Sequence, residues 1–311
     1  MIERQWKTTD GNRMVPGLQE KTELSYLVFP KLQQCGGVRH LFSTRMGGVS
    51  VGEWSSMNLS FSRGDEKTAV EENFRRIACA LGFRSEDLVS TDQTHTDVVR
   101  VVTKKDKGHG IVREKEFFDT DGLITKESGV VLSAFFADCV PLFFADKTGK
   151  GIGLSHSGWK GTMNGIGAKT VQKMQAEFGC NPEDILVAIG PSICRNCYEV
   201  SEDLLLAFRE RFYPVYGRNL VPLCSRDRDA GALFWDKGNG KYHLDLWRAN
   251  LLVLENAGIL PEHIEVTNVC TCCNSKYLFS HRASKGRRGN LGAFIVMEED
   301  SQRAENEVFK D

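Results

Sequence analysis

The stretch FFADCVPLFFADKTGKGIGLSHSGWKG, Phe135 to Gly161, constrains this chain more than any other. Two apolar runs flank a polar turn, the pattern of a β-hairpin buried on both faces. Yet its open end sets Cys139 beside Asp138, and His156 beside a turn containing glycine. If the turn is Asp146 to Gly149, Ala145 pairs with Lys150, and counting back along the antiparallel ladder places Cys139 opposite His156. Their Cβ atoms then lie about 4.5–5.5 Å apart. Zinc, with Zn–S about 2.3 Å and Zn–N about 2.0–2.1 Å, needs sulfur and nitrogen roughly 3.5 Å apart, which this pairing allows. A turn one residue longer puts the two side chains on opposite faces unless Pro141 marks a bulge. The segment STDQTHTDVVRVV offers His95, just before a strand, as a third ligand, with flanking Thr and Asp side chains placed to orient its ring. On these residues alone the plainer reading stays open: a small apolar thiol and surface histidines.

The body around this hairpin is globular, since 311 residues with 41% hydrophobic side chains fill a sizeable core. Forty basic against forty-one acidic residues give a net charge of −1, so no global field recruits nucleic acid or an anionic membrane. MIERQWKTTDGNRMVPG lacks the apolar run of a signal peptide, and the longest greasy stretch, Val130 to Ala145, is broken by Asp138 and Pro141. The expectation is a cytoplasmic protein whose ten cysteines are reduced. Cys194 and Cys197 form a C-x-x-C pair, and Cys270, Cys272 and Cys273 cluster later. The interval between the groups is far from that of a zinc ribbon or finger, which argues against a second, structural zinc.

No repeat or linker divides the chain, so it reads as a single domain, 1–311, with 1–22 and 299–311 peripheral or partly flexible. DEKTAVEENFRRIACALGF carries apolar residues at Val70, Phe74, Ile77 and Leu81, the period of an amphipathic helix, with Thr68 and Glu71 as a capping box and Gly82 as its stop. TDVVRVVTK, VVLSAFFADCVPLFFAD, GIGLSHSG, DILVAIG, HIEVTNV and LGAFIVME read as strands. MNGIGAKTVQKMQAEFG, EDLLLAFRERF capped by Ser201, and RANLLVLENAG read as helices. ALFWDKGNGKYHLDL reads as a hairpin turning at Gly238 to Gly240. Hairpins mixed with helices imply an α/β (α+β) fold of mixed β-sheets with packed helices.

FSTRMGGVSVGEWSSMNLSFSRGD, TDQTHTDVV, DTDGLIT, FADCVPLFFAD, GLSHSGWKGT, VAIGPSI with CYEV, and LFSHR occur here in the order that the YfiH-type purine nucleoside phosphorylases show. That family also carries the older name of multicopper polyphenol oxidases or laccase-domain proteins. The resemblance spans roughly Leu41 to Ile295. It implies a fold similar to the cysteine-hydrolase-like proteins and one zinc held by His95, Cys139 and His156. It also implies phosphorolysis of adenosine, inosine, guanosine and methylthioadenosine, together with adenosine deamination. Where the family continues its SHR motif as SHRRD…TGR, this chain reads SHRASKGRRGN. Ala283 and Asn290 stand at arginine positions, with Arg287 or Arg288 as substitutes, while His281 and Arg282 match.

A zinc with three protein ligands keeps an open position and lowers the pKa of bound water to about 7, which suits deamination at C6 of adenine. Cys139 and Asp138 are the catalytic candidates there, Asp138 as proton carrier. Phosphorolysis needs an anion site beside the ribose C1′. Arg45 suits it, with Gly47 and Gly48 permitting close backbone approach, and Lys160 adds charge at a strand-to-helix turn. Asn58, His281 and Arg282 are the further candidates for substrate binding. Two alternatives stay open: a metal-independent cysteine hydrolase or amidase using Cys139 with His156 or His95 as its base, and a copper-dependent polyphenol oxidase. The partners expected are purine nucleosides and phosphate.

Overall fold

The computed structural model describes residues 17–21, 24–217 and 221–299. The expected peripheral segments 1–22 and 299–311 therefore lie outside the described residues, apart from 17–21 and residue 299. The first third lays down β1 (Gly17–Lys21), β2 (Leu24–Val28), β3 (Val38–Ser43), α1 (Lys67–Leu81), β4 (Leu88–Ser90) and β5 (Val99–Val101). The middle supplies β6 (Gly122–Thr125), β7 (Val131–Phe136), β8 (Val140–Asp146), β9 (Ile152–Ser157), α2 (Trp159–Met163), α3 (Ile166–Phe178) and β10 (Ile185–Ile189). The remainder adds β11 (Glu199–Ser201), α4 (Glu202–Ala207), β12 (Cys224–Ser225), β13 (Phe234–Gly238), β14 (Lys241–Leu244), α5 (Leu246–Asn256), β15 (Ile264–Val266), α6 (His281–Ser284) and β16 (Leu291–Met297).

Two mixed six-stranded sheets, ordered β1-β2-β3-β16-β7-β4 and β15-β10-β8-β9-β6-β5, form the centre, and a smaller sheet, β11-β14-β13-β12, stands apart. The mixed-sheet fold expected from the sequence is the one observed. Alternation along the strands explains the layering. In β16, Leu291, Ala293 and Ile295 join the core shared with Phe143, Ala145 and Leu154 of the second sheet, while Phe294 and Val296 pack with Val70, Phe74 and Ile77 of α1. In β8, Leu142 and Phe144 turn the other way, onto Ile166 and Val171 of α3 and Leu252 and Val253 of α5. The order is helix, sheet, sheet, helices, and strands covered on both faces must read as unbroken apolar runs. Each fully buried α1 side chain contributes roughly 1.5–3 kcal/mol to holding that layer.

Local signals were partly misread. α1 does stop at Gly82, whose φ of +79° suits a left-handed C-cap, but its N-cap is Glu66, so Thr68 already lies inside the helix and no capping box forms. The entry is fixed by Asp65, which accepts the Glu66 amide through Oδ1 and the Asn58 amide through Oδ2. Ser201 occupies the N-cap of α4 without a side-chain bond, and that helix widens into a π-helix at Phe208–Gly217. MNGIGAKTVQKMQAEFG forms α3 from Ile166, with Gly165 as its N-cap, and a separate short helix, α2, ends at Met163 just before it.

His40 on β3 is 5% exposed, and its Nε2 accepts the Phe29 amide at 2.8 Å. Burial, opposed only by that bond, holds its imidazole down to about 3. The unfolded chain titrates near 6.5, so as pH falls below that value it binds a proton that the folded protein refuses. Stability present above about pH 6.5 is therefore lost progressively toward pH 3. The loss between pH 7 and pH 5 should be about 2 kcal/mol. Urea unfolding at both pH values should show a loss smaller by that amount in His40→Gln, whose carbonyl can accept the same amide, than in the wild type; equal slopes would refute the assignment.

Candidate metal centre and active site

β7 lies in the first sheet and β8 in the second, so VVLSAFFADCVPLFFAD is two strands joined across the layers by Ala137, Asp138 and Cys139. Asp138 adopts a φ of +95°, a region where a residue bearing Cβ must be held. Its Oδ1 accepts the Thr271 hydroxyl at 2.6 Å, its Oδ2 the Arg282 amide at 2.7 Å, and its carbonyl the Ile193 amide at 2.9 Å. Both carboxylate oxygens are thus committed. The structure makes Asp138 a brace for the crossover, with one hydrogen bond on each carboxylate oxygen.

The hairpin register also differs from the expectation. Ala145 pairs with Ile152 and Pro141 with His156. The turn has moved one position along: Asp146 donates its amide to Gly151, its Oδ1 takes the Thr148 amide at 2.8 Å, and Gly149 closes the turn at φ +79°. The displacement amounts to two residues in the pairing, so face parity is preserved. Cys139 and His156 become diagonal neighbours on the same side instead of directly opposed.

They meet His95. One ligand atom from each of His95, Cys139 and His156 lies within 4.8 Å of the others. The Cys139 Sγ is 3.9 Å from His95 Nε2, and the imidazoles meet edge to face at 4.9 Å. His95 sits at φ +65°, and the group that holds it there is Asp121, fully buried at the start of β6. The Asp121 carboxylate accepts the consecutive amides of Thr94, His95 and Thr96, the Thr96 hydroxyl, and the His156 Nδ1–H at 2.6 Å. That last bond fixes the His156 tautomer and leaves Nε2 for the site. Burial pushes the Asp121 carboxyl up, but His156 and Thr96 outweigh it and hold it below the usual carboxylate range. Burial likewise opposes ionisation of Cys139, yet His156 and His95 bring its thiol down to about 6. His156 rises to about 9 against its own burial, through Cys139 and Asp121. Gly158 completes the fit: a Cβ there would lie 2.9 Å from the His95 ring and 3.3 Å from the Cys139 sulfur. One thiolate and two imidazoles with a fixed tautomer make a sound donor set for zinc.

These residues open into a cavity of about 530 Å3 whose lining includes Phe61, Phe135, Arg63, Lys115 and Arg288. Arg288 is only 9% exposed, and its Nε has no hydrogen-bond partner among the described residues. Burial first, then the nearby Arg63, push its guanidinium down to about 10. Arg287, by contrast, pairs with Glu53 at 2.8 Å.

The other expected substrate residues are placed differently. Arg45 donates to the carbonyls of Ser55 and Ser275 and lies over the Phe279 ring, away from the cavity lining. Gly48 is tight against its own chain, since a Cβ would meet the Ser56 carbonyl at 2.1 Å, so its close approach serves the loop. Asn58 is fully buried, outside the cavity lining, and spends its amide on Ser60 and Asp65 and its oxygen on the Asn290 amide. Arg282 donates to the carbonyls of Cys197 and Glu199 and lines a separate pocket with Trp159 and Tyr198. Lys160 is exposed over the Trp159 ring, outside the cavity lining. His281 is also outside it, although burial and Arg288 lower its pKa. Of the Asp side chains flanking His95, Asp92 pairs with Lys115 and Asp97 with Lys169. The residues missed were Asp121, Arg63 and the aromatic lining. An acid at the mouth of a buried strand, in DTDGLIT, was the available signal for the first.

A family profile described as multi-copper polyphenol oxidoreductase laccase matches residues 39–298. The purine nucleoside phosphorylase YlmD of Geobacillus stearothermophilus is 37% identical over 83% of this chain and 89% of its own length. The mouse purine nucleoside phosphorylase LACC1 is 35% identical over 92% of this chain but 61% of its own length, so the chain spans about three fifths of that relative. The crystal structure of the Geobacillus YlmD superposes with a TM-score of 0.78 at 34% identity, covering 91% of this chain and all of that one. A hypothetical protein YfiH from Bacillus licheniformis gives 0.78 at 32% identity, over 90% and 99%.

Proposed function

The chain belongs to the multi-copper polyphenol oxidoreductase laccase family, and from that premise we propose that it is a purine nucleoside phosphorylase with a zinc at His95, Cys139 and His156. Substrates of the reading are adenosine, inosine, guanosine and methylthioadenosine, with adenosine deamination as a second activity. The observation that carries it is Arg288, a nearly buried guanidinium with an unpartnered Nε, lining one cavity with Arg63 and the His–Cys–His group. A buried guanidinium with Arg63 beside it calls for an anion, and phosphate is bound by such a fork. In phosphorolysis a phosphate oxygen bonds to C1′ while the C1′–N9 bond breaks, its electron pair leaving with the purine, which takes up a proton. Arg288 and Arg63 hold the phosphate and offset its charge as it approaches C1′. Phe61 and Phe135 offer apolar faces to the base. When bound, zinc supplies a Lewis-acid centre. Copper of the multi-centre kind is not favoured, because the only histidine-containing metal group among the described residues has two imidazoles and one thiol.

Arg288→Ala should cost phosphorolysis about 10–100-fold while zinc stays bound and ammonia release from adenosine falls far less, since a charged hydrogen bond contributes roughly 1.5–3 kcal/mol. Arg45→Ala should depress both activities alike through its loop. The measurement is phosphate-dependent purine release beside ammonia release for each variant. A selective phosphorolysis defect in Arg45→Ala with none in Arg288→Ala would return the phosphate site to Arg45.

One observation favours a second reading. Asp121, His156 and Cys139 form a carboxylate–imidazole–thiol series with the thiol held near 6, the arrangement of a cysteine nucleophile. Full activity in metal-free protein would select it.

A further inference from the structure

Cys194, Cys197, Cys270 and Cys273 are brought together although each pair linked across the loops is 76 positions apart. From this convergence we propose that they form a second zinc site, a closed tetrathiolate with a structural role, independent of which reaction the cavity performs. Their four sulfurs all lie within 4.8 Å of one another, and Cys197 and Cys273 approach to 3.4 Å. A tetrahedral zinc with Zn–S about 2.3 Å sets its sulfurs about 3.8 Å apart, so closing the site needs only small adjustments.

The backbone is arranged for this ligand set. Each pair is a C-x-x-C turn: the Cys197 amide donates to the Cys194 carbonyl at 3.0 Å, and the Asn274 amide to the Cys270 carbonyl at 3.1 Å. A short parallel bridge, Ser192 to Cys270, fastens one turn to the other. The Cys270 sulfur accepts the Cys194 amide at 3.3 Å and the Cys273 amide at 3.4 Å, bonds that favour a thiolate. Cys194 and Cys270 are buried, while Cys197 and Cys273 are partly exposed, which gives a metal a way in. A disulfide needs sulfurs at about 2.05 Å, and the four thiols here are unpaired.

The site also has a position in the molecule. Ile193, next to Cys194, donates to the Asp138 carbonyl, and Thr271, next to Cys270, donates to its carboxylate. A metal joining these turns therefore fastens two of the grips on the crossover that aims Cys139.

The test is metal analysis of the full chain incubated with excess zinc and dialysed, alongside Cys139→Ala, Cys273→Ser and Cys272→Ser. Two zinc ions per chain are expected in the wild type and in Cys272→Ser, whose sulfur lies outside the group. One is expected in each of the other two variants. Cys273→Ser should also lower the thermal midpoint by about 5–10 °C. Should that variant fail to fold, titration of wild-type thiols with a mercurial, releasing two equivalents of zinc in separate phases, carries the same information. Equal zinc in Cys273→Ser and wild type, no zinc released from Cys139→Ala, or an intact mass showing disulfides among these cysteines would overturn the proposal. A loss confined to Cys139→Ala would instead leave the cavity zinc intact as a reading and remove this one.

Discussion

Cys139→Ala is expected to lose one equivalent of metal and, in the same step, at least about 1000-fold in phosphorolysis, about 4 kcal/mol of transition-state stabilisation. The fold should survive. Cys139 is partly exposed, and the strained residue before it is held by Thr271, Arg282 and Ile193 without help from the thiol. What is removed is the only sulfur of the His95, Cys139 and His156 group, and two imidazoles alone bind zinc far more weakly than two imidazoles and a thiolate. Zinc content and phosphate-dependent purine release, measured on the same preparation, check the prediction. An unchanged zinc count would place the metal elsewhere. Zinc lost with activity kept would show that the metal does not serve this reaction.

The second large effect belongs to a residue that touches no substrate. Asp121→Asn should weaken zinc binding by about 10–100-fold, the usual consequence of removing the group behind a metal-bound histidine. It should also cost about 2–5 kcal/mol of stability, because an amide has one acceptor oxygen where the carboxylate offers two. The carboxylate takes the amides of Thr94, His95 and Thr96, the Thr96 hydroxyl and the His156 Nδ1–H. An NH2 facing those donors leaves some of them buried and unpaired, releases the left-handed turn at His95 and frees the His156 ring to change tautomer. Competition with a chelator reads the first effect and chemical denaturation the second. A variant that unfolds earlier but binds zinc as tightly as wild type would reduce Asp121 to a purely structural acid.

The convergence of Cys139 and His156 could be read from the sequence because alternation in a strand is insensitive to an error of two. The turn was placed one position early, yet the side chains stayed on one face. What could not be read was anything depending on which sheet a strand joins. VVLSAFF and VPLFFAD look alike because both are buried on two sides, and only long-range pairing with β16 on one hand and β9 and β10 on the other separates them. Residue type alone also does not reveal where polar side chains bond to the chain itself. Arg45, Asn58 and Arg282 have the chemistry of ligand-binding groups, but backbone amides and carbonyls absorb them. The four clustered cysteines escaped for the opposite reason: the 76 positions between the two C-x-x-C pairs fit no zinc ribbon or finger, and the fold supplies the proximity.

The short crossover at Ala137, Asp138 and Cys139 also governs the order in which the molecule can mature. Cys139 and His156 come from one local hairpin, but His95 arrives from 44 positions away and only through the buried Asp121. A chain with the β8–β9 hairpin formed but β6 and β5 not yet added to its sheet would offer a metal two donors and no third. Ion capture at this centre would therefore come late in folding, after the slow long-range contacts have formed, and would act as a latch on the finished packing rather than as a seed for it.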